Sequence, residues 1–206
     1  MNFKLFTAIQ VKKKVLNSLD SKKSSGIDGI NVPLLKEGST FLVNKLLRIF
    51  NLSISTGCVP RFWKIKRVSP IFKSRPREDA GNYWPVSVAS TPMKILEKLF
   101  YEQFISFILE NDIFHHNQYG YRHGYSTSYA ALDVKEYIVN SLKSYKFACA
   151  VLIDLSKAFD TVDHKTSLKK LFCYGFQDLP FTWCESYPEN REQIVFSINI
   201  HSDNLD

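Results

Sequence analysis

The stretch "VLIDLSKAFDTVDH", Val151 to His164, sets one aspartate at the end of an apolar run and two more, Asp160 and Asp163, within the next nine residues. Taken with the residues before it, "KFACAVLIDL" is apolar on both alternating faces. That is the pattern of a strand covered on both sides or lying centrally in a sheet, and the spacing predicts a strand over Phe147 to Leu155. Asp154 then stands near its carboxyl end. Two roles are open to it: a metal-binding catalytic carboxylate, or a polar residue where a strand stops.

Outward from this stretch the chain alternates helices and short strands. Val11, Val15 and Leu19 share a helical face, which gives way at Gly26 and Gly29. "STFLVNKLLRIFNLSISTG" has Ser39 or Thr40 as cap, apolar residues at Val43, Leu46, Leu47 and Phe50, and a stop at Gly57. "RVSPIFKS" reads as a short strand that Pro70 pushes to a sheet edge. "STPMKILEKLFYEQFISFILEND" is a helix with Ser90 or Thr91 as cap, Pro92 in its first turn, and Leu96, Phe100, Phe104, Phe107 and Ile108 on one stripe. A loop rich in Tyr and Gly leads into a helix from about Ser126 to Leu142. Beyond the opening stretch, "HKTSLKKLFCYG" offers Leu168, Leu171 and Phe172 to a core and ends at Gly175, with Asp163 as a natural cap.

Composition bounds the class. The 206 residues are 45% hydrophobic and 14% aromatic with 8 Gly and 8 Pro, which argues against disorder and predicts a packed core. Net charge is +7. From Arg61 to Asp79, seven Lys or Arg stand against two acids, interleaved with Phe62, Trp63 and Phe72. Such a segment suits nucleic acid, since cations displace counterions from phosphates and rings stack on bases; a solvated basic face is the other reading. Cys58, Cys149, Cys173 and Cys184 include no Cys-x-x-Cys pair and read as reduced core thiols of an intracellular protein. His115, His116 and His123 lack a cysteine or carboxylate at ligand spacing and read as a surface turn. No apolar run approaches the ~20 residues of a membrane span, and the opening residues are too briefly apolar for a secretory signal.

Five ordered blocks then carry a resemblance. "KSSGIDGINVPLLK", "VPRFWKIKRVSPIFK", "GNYWPVSVASTPMKILEKLF", "NQYGYRHGYST" and "IDLSKAFDTVDH" resemble, in order and spacing, the blocks of reverse transcriptases of non-long-terminal-repeat retrotransposons, the jockey-like and LINE-like elements. The resemblance implies an α+β fold: the fingers and partial palm of a right-hand polymerase, with helices packed on a small, incomplete antiparallel sheet. Residues 1–146 would be the fingers-like region with the start of the palm, and residues 147–206 a partial palm carrying the first catalytic aspartate block. It implies RNA-directed DNA polymerase activity, with an RNA template, a DNA primer and deoxynucleotide triphosphates as partners and Mg²⁺ as cofactor.

The same resemblance assigns residues. Asp154 matches the first metal-binding catalytic aspartate, one of those that hold two ions about 3.5–4 Å apart, and the Leu155 carbonyl would be a secondary metal ligand. Phe159 matches the ring that packs under the incoming sugar and excludes a 2′-hydroxyl. Lys73 matches the fingers lysine near the triphosphate, and Arg122 the fingers arginine near template and nucleotide, where Gly120 and Gly124 allow close backbone approach. Asp160 and Asp163 suit capping and hydrogen bonding better than metal binding.

Departures from the family pattern are as informative. Neither the family's "P-Q-G" block nor its "Y-A-D-D" block is found, and no Asp-Asp dipeptide occurs, so the expected two-ion cluster is incomplete. Trp84 stands where the family has an arginine expected near the triphosphate, and Pro188 where it usually has leucine. The expectation is a fragment or decayed copy of a retrotransposon polymerase. It would be inactive in isolation, with the strand at Phe147 to Leu155 left with unpaired, association-prone edges. A non-catalytic nucleic-acid-binding module is the alternative.

Overall fold

The computed structural model describes residues 1–17, 19–22, 24–73, 76, 78–155, 158 and 160–196. Contacts divide the chain into two compact units, residues 1–105 with 164–206, and residues 106–163.

In the first unit α1 (Ala8–Asn17), α2 (Val32–Glu37) and α3 (Ser39–Thr56) precede β1 (Ile65–Phe72) and β2 (Tyr83–Val88). The long α4 (Thr91–Glu110) follows and runs across the boundary. α3 is cut to length by its ends. Gly38 rather than Ser39 or Thr40 takes the N-cap position, without a side-chain cap, and Gly57 closes the helix at φ 67°. That left-handed conformation suits glycine, and a Cβ at Gly57 would also come within 2.9 Å of Thr182 Cβ. Gly26 is fixed by a close approach instead: a Cβ there would meet Ser90 Cα at 2.6 Å, where the first loop passes the start of α4.

α4 begins as its sequence dictates. Ser90 Oγ accepts from Met93 N, and the Thr91 hydroxyl donates to Ile30 O at 2.6 Å, tying the helix start to the loop ahead of α2. Met93, Ile95, Leu96 and Leu99 of α4 are buried to within 1% beside Val11 and Val15 of α1 and Phe50 of α3. After α6 (His164–Cys173), α7 (Asp178–Ser186) returns to this core through Trp183, and Phe176, between the two helices, is buried with its ring 4.9 Å from that of Phe104. The Trp183 ring stacks on Phe100 at 4.0 Å, and its indole N–H donates to Ser53 Oγ at 3.1 Å, so the largest buried side chain keeps its polar atom satisfied. α7 ends at Ser186, two residues short of Pro188.

The sheet is mixed, in the order β2-β1-β3, with β3 spanning Glu192–Val195. β1 pairs antiparallel with β2 but parallel with β3, so the small sheet is not purely antiparallel as expected. Nor is the proline strand at an edge: β1 is central. The register explains how this is tolerated. Pro70 faces Pro85. Lys73 N donates to Asn82 O, so the alternation of the ladder places the proline pair at a non-hydrogen-bonded position, where neither missing N–H breaks a β1–β2 bond. On the other side of β1 the ladder with β3 covers Ile65 to Val68 only and ends before Pro70.

The second unit holds the end of α4 and α5 (Thr127–Lys143), whose N-cap Ser126 accepts from Tyr129 N. α5 has no buried residue. The expected strand over Phe147 to Leu155 is not formed: these residues carry no regular structure. Phe147, Val151, Leu152, Ile153 and Leu155 are between 71% and 103% exposed. The residues have the strand pattern, but a ladder needs a partner, and among the described residues no strand pairs with them. The cysteine expectation also fails: Cys58, Cys149 and Cys173 are exposed, and only Cys184 is half-buried. Among the described residues no helix is long and apolar enough to cross a membrane.

Candidate nucleic-acid interface

The basic stretch after Arg61 is not one solvated face. Lys64 is buried, and its ammonium donates to Ser186 Oγ at 3.3 Å. Lys66 is half-buried, and desolvation, assisted by the nearby Arg191 charge, lowers its pKa against the opposing pull of Glu97. The Arg67 guanidinium sits 4.7 Å from the Phe196 ring centroid, with its Nε buried and unpartnered. Arg61 is exposed and reaches Glu192 at 3.5 Å, a pairing worth little in water. The middle of the basic run therefore serves the protein's own packing, a partition that charge counting misses.

Lys73 is different. Immediately past β1, its backbone is held by Asn82 while its side chain is exposed, with Nζ 5.8 Å from the centroid of the Trp84 ring. The register sets this up. Trp84 pairs with Ile71, two residues before Lys73, so Lys73 and Trp84 lie diagonally on one face of the hairpin. Trp84 is 60% exposed. A cation and an open aromatic face stand side by side, suited to a phosphate and a base. The sequence flagged each residue but not their pairing, which depends on register.

Arg122 lies in the second unit, in the turn Arg122 to Tyr125 closed by Tyr125 N donating to Arg122 O. Its guanidinium is held between two rings, 4.1 Å from Tyr125 and 5.4 Å from Phe114, and its buried Nη1 has no hydrogen-bond partner. Gly124 has φ 81°, which favours glycine, whereas a Cβ at Gly120 would meet nothing within 4 Å. The neighbouring His115 ring accepts from Asn117 N and stacks on His116.

Asp154 and Leu155 fall in the exposed segment that forms no strand. Phe159 lies outside the described residues. Among the described residues no group of three or more His, Cys, Asp or Glu is placed to hold a metal ion. One exposed carboxylate does not hold two divalent ions, so these residues do not by themselves fit a two-ion centre. Arg191 was missed by sequence reasoning. Its Nε donates to Tyr187 O at 2.7 Å and its guanidinium lies 3.9 Å from the Tyr187 ring centroid, while the Tyr187 hydroxyl donates to Glu97. Burial, then the Glu97 charge, pushes the Tyr187 hydroxyl up to about 12.

Residues 72–202 match the family of reverse transcriptases (RNA-dependent DNA polymerases). The chain is 29% identical over 193 residues to the "Probable RNA-directed DNA polymerase from transposon BS" of Drosophila melanogaster, covering 92% of this chain and 21% of that protein. It is 26% identical over 193 residues to the "Probable RNA-directed DNA polymerase from transposon X-element" of the same organism, covering 92% and 20%. With the fly "RNA-directed DNA polymerase from mobile element jockey" it shares 24% identity over 159 residues, 77% of this chain and 17% of the relative. The chain thus spans about a fifth of the length of these curated relatives.

Proposed function

The chain belongs to the reverse transcriptase (RNA-dependent DNA polymerase) family, in its non-long-terminal-repeat retrotransposon branch, and from that premise we propose that it is the template- and nucleotide-gripping part of an RNA-directed DNA polymerase. Residues 1–146 form its fingers with the start of the palm, and residues 147–206 part of the palm. The parent enzyme works inside the cell, extending a DNA primer on an RNA template with deoxynucleotide triphosphates. Reverse transcriptases generally use divalent metal ions, and Mg²⁺ is the ion we assign to the parent. There Asp154 and the Leu155 carbonyl would be ligands.

The chain's own residues bind and orient. Lys73 meets phosphate, since an exposed ammonium on a flexible stem is a compact phosphate partner. Trp84 beside it offers a stacking face, Arg122 adds a second cation held between rings, and Phe159 is the sugar-excluding ring. No catalytic step is assigned to the chain alone. The observation that carries the reading is the exposed Lys73–Trp84 pair on the β1–β2 hairpin within the family match. A second reading, a binding module without chemistry, is favoured by the exposed Asp154 and the absence of a carboxylate cluster around it among the described residues.

Fluorescence anisotropy with a labelled RNA–DNA primer-template, repeated across salt concentrations, tests the reading. Log affinity falls with log salt by about 0.9 per neutralised phosphate on duplex, and Lys73→Ala lowers that slope by about one phosphate. Absent or salt-insensitive binding by a folded chain would overturn it.

A further inference from the structure

Arg122 is carried by a loop that α5 holds at both ends. After the turn that Tyr125 N closes onto Arg122 O, the next residue, Ser126, is the N-cap of α5 and accepts from Tyr129 N. Before the turn, the Tyr119 hydroxyl donates to the Asp133 carboxylate. Asp133 stands about two helical turns past Ser126, so both anchors fall on one face of α5. A row of contacts joins the second anchor to the arginine: the Tyr119 ring meets Tyr125 edge-on at 5.8 Å, and the Tyr125 ring lies 4.1 Å from the guanidinium. Asp133 is exposed, and its hydrogen-bond partner is a neutral phenol. Among the described residues no carboxylate forms an ion pair with Arg122.

We infer that Asp133 and Tyr119 are positioning residues for Arg122: their hydrogen bond closes the loop onto α5 and fixes the direction in which the guanidinium meets a phosphate of the nucleic acid. This rests on the reading of Arg122 as a cation of the substrate grip. A guanidinium packed on rings presents its N–H donors at its edge, which suits a phosphate taken through two parallel hydrogen bonds, and such a pairing tolerates little misorientation. A loop anchored at Ser126 alone would leave Tyr119 to Tyr125 free to swing, and the loop would then have to be ordered at the moment of binding. The Asp133–Tyr119 bond orders it beforehand. Charge alone argues the other way, because an exposed acid near a phosphate site repels the ligand and its removal should tighten binding. Positioning and charge therefore predict opposite signs for one substitution.

Fluorescence anisotropy of the full chain with a labelled RNA–DNA primer-template separates them. Asp133→Ala weakens binding by about fivefold, the worth of one hydrogen bond, although it removes a negative charge. Asp133→Asn removes the same charge but keeps an acceptor oxygen, and binds at least as tightly as wild type. Tyr119→Phe changes no charge and matches Asp133→Ala to within about twofold. A cycle with Arg122→Ala isolates the arginine: in that background Asp133→Ala no longer weakens binding. Arg122→Ala by itself lowers the salt slope by about 0.9 on duplex, and an unchanged slope would remove the arginine from the interface and the inference with it. A lowered slope in Arg122→Ala joined to any of three results would overturn the positioning role and leave the arginine's intact: binding unchanged or tighter in Asp133→Ala, Asp133→Asn as weak as Asp133→Ala, or a loss in Asp133→Ala that persists undiminished without the arginine.

Discussion

The ammonium of Lys73 lies 5.8 Å from the centroid of the Trp84 ring, across the diagonal of the β1–β2 hairpin. An exposed cation–π contact of this kind contributes about 0.5–1 kcal/mol, enough to bias the lysine toward one position without fixing it. Trp84 stands where the resemblance to the reverse transcriptase blocks leads us to expect arginine. The exchange gives up a charged fork and gains a stacking surface that also holds the neighbouring cation.

Trp84→Ala should therefore weaken binding to single-stranded RNA by about 1–3 kcal/mol, the contribution of one stacked base, while leaving the salt slope nearly unchanged. Trp84→Arg should steepen the slope by about 0.7 on single strands, one added phosphate contact. Anisotropy titrations at three or more salt concentrations separate the two effects. An unchanged affinity in Trp84→Ala would remove the ring from the interface.

The core prediction concerns Trp183. Trp183→Ala removes the ring stacked on Phe100 and strips Ser53 Oγ of a donor, and should cost about 3–5 kcal/mol in urea unfolding. Trp183→Phe keeps most of the packing and loses the hydrogen bond, so a smaller loss is expected. Equal losses would mean that the hydrogen bond, not the ring, dominates.

Thiol chemistry reports burial. Cys58, Cys149 and Cys173 are exposed and should react promptly with an aromatic disulfide reagent at mildly alkaline pH. Cys184, half-buried, is pushed by burial from 9.0 up to about 12, and should react much more slowly than these three in the folded chain. The sign follows from linkage. The folded thiol keeps its proton where the unfolded one loses it, so this contribution to stability is intact below pH 9 and lost as pH rises from about 9 to 12. Each pH unit in that window costs up to about 1.4 kcal/mol. Tyr187 adds a loss of the same sign between its ordinary 10.0 and about 12. In Cys184→Ala the decline should begin about one unit later; a decline starting at the same pH would contradict the assignment.

Phe159 is tested by function. In a chain extended with the family's "P-Q-G" and "Y-A-D-D" blocks, Phe159→Ala should raise incorporation of ribonucleotides relative to deoxynucleotides, because removing the ring opens space for the 2′-hydroxyl. An unchanged ratio would make Phe159 a packing residue.

Where local signals decide the outcome, the sequence was readable. α3 and α4 follow from their 3.6-residue stripes, from Gly57, and from the Ser90-Thr91-Pro92 start, all of which act within a few residues. Partners at a distance were not readable. Residues 147–155 alternate as a strand does, yet alternation records a preference and cannot supply the neighbour that a ladder requires. Pro70 argued for an edge, and only the register that sets it opposite Pro85 shows why a central strand accepts it. Lys66 and Arg67 counted as surface charge until packing placed them against Arg191 and Phe196. At the candidate site, Lys73, Trp84 and Arg122 were named from motifs, while their ring partners depend on cross-strand and turn geometry.

The role proposed for this chain is to grip a polymerase's substrates rather than to join nucleotides. It is tested most directly by incubating the folded chain with Mg²⁺, a labelled primer on an RNA template and deoxynucleotide triphosphates, and resolving the products at single-nucleotide resolution. No extension above a protein-free control is expected at concentrations where anisotropy shows the primer-template bound. Extension by wild type that disappears in Asp154→Ala would contradict it.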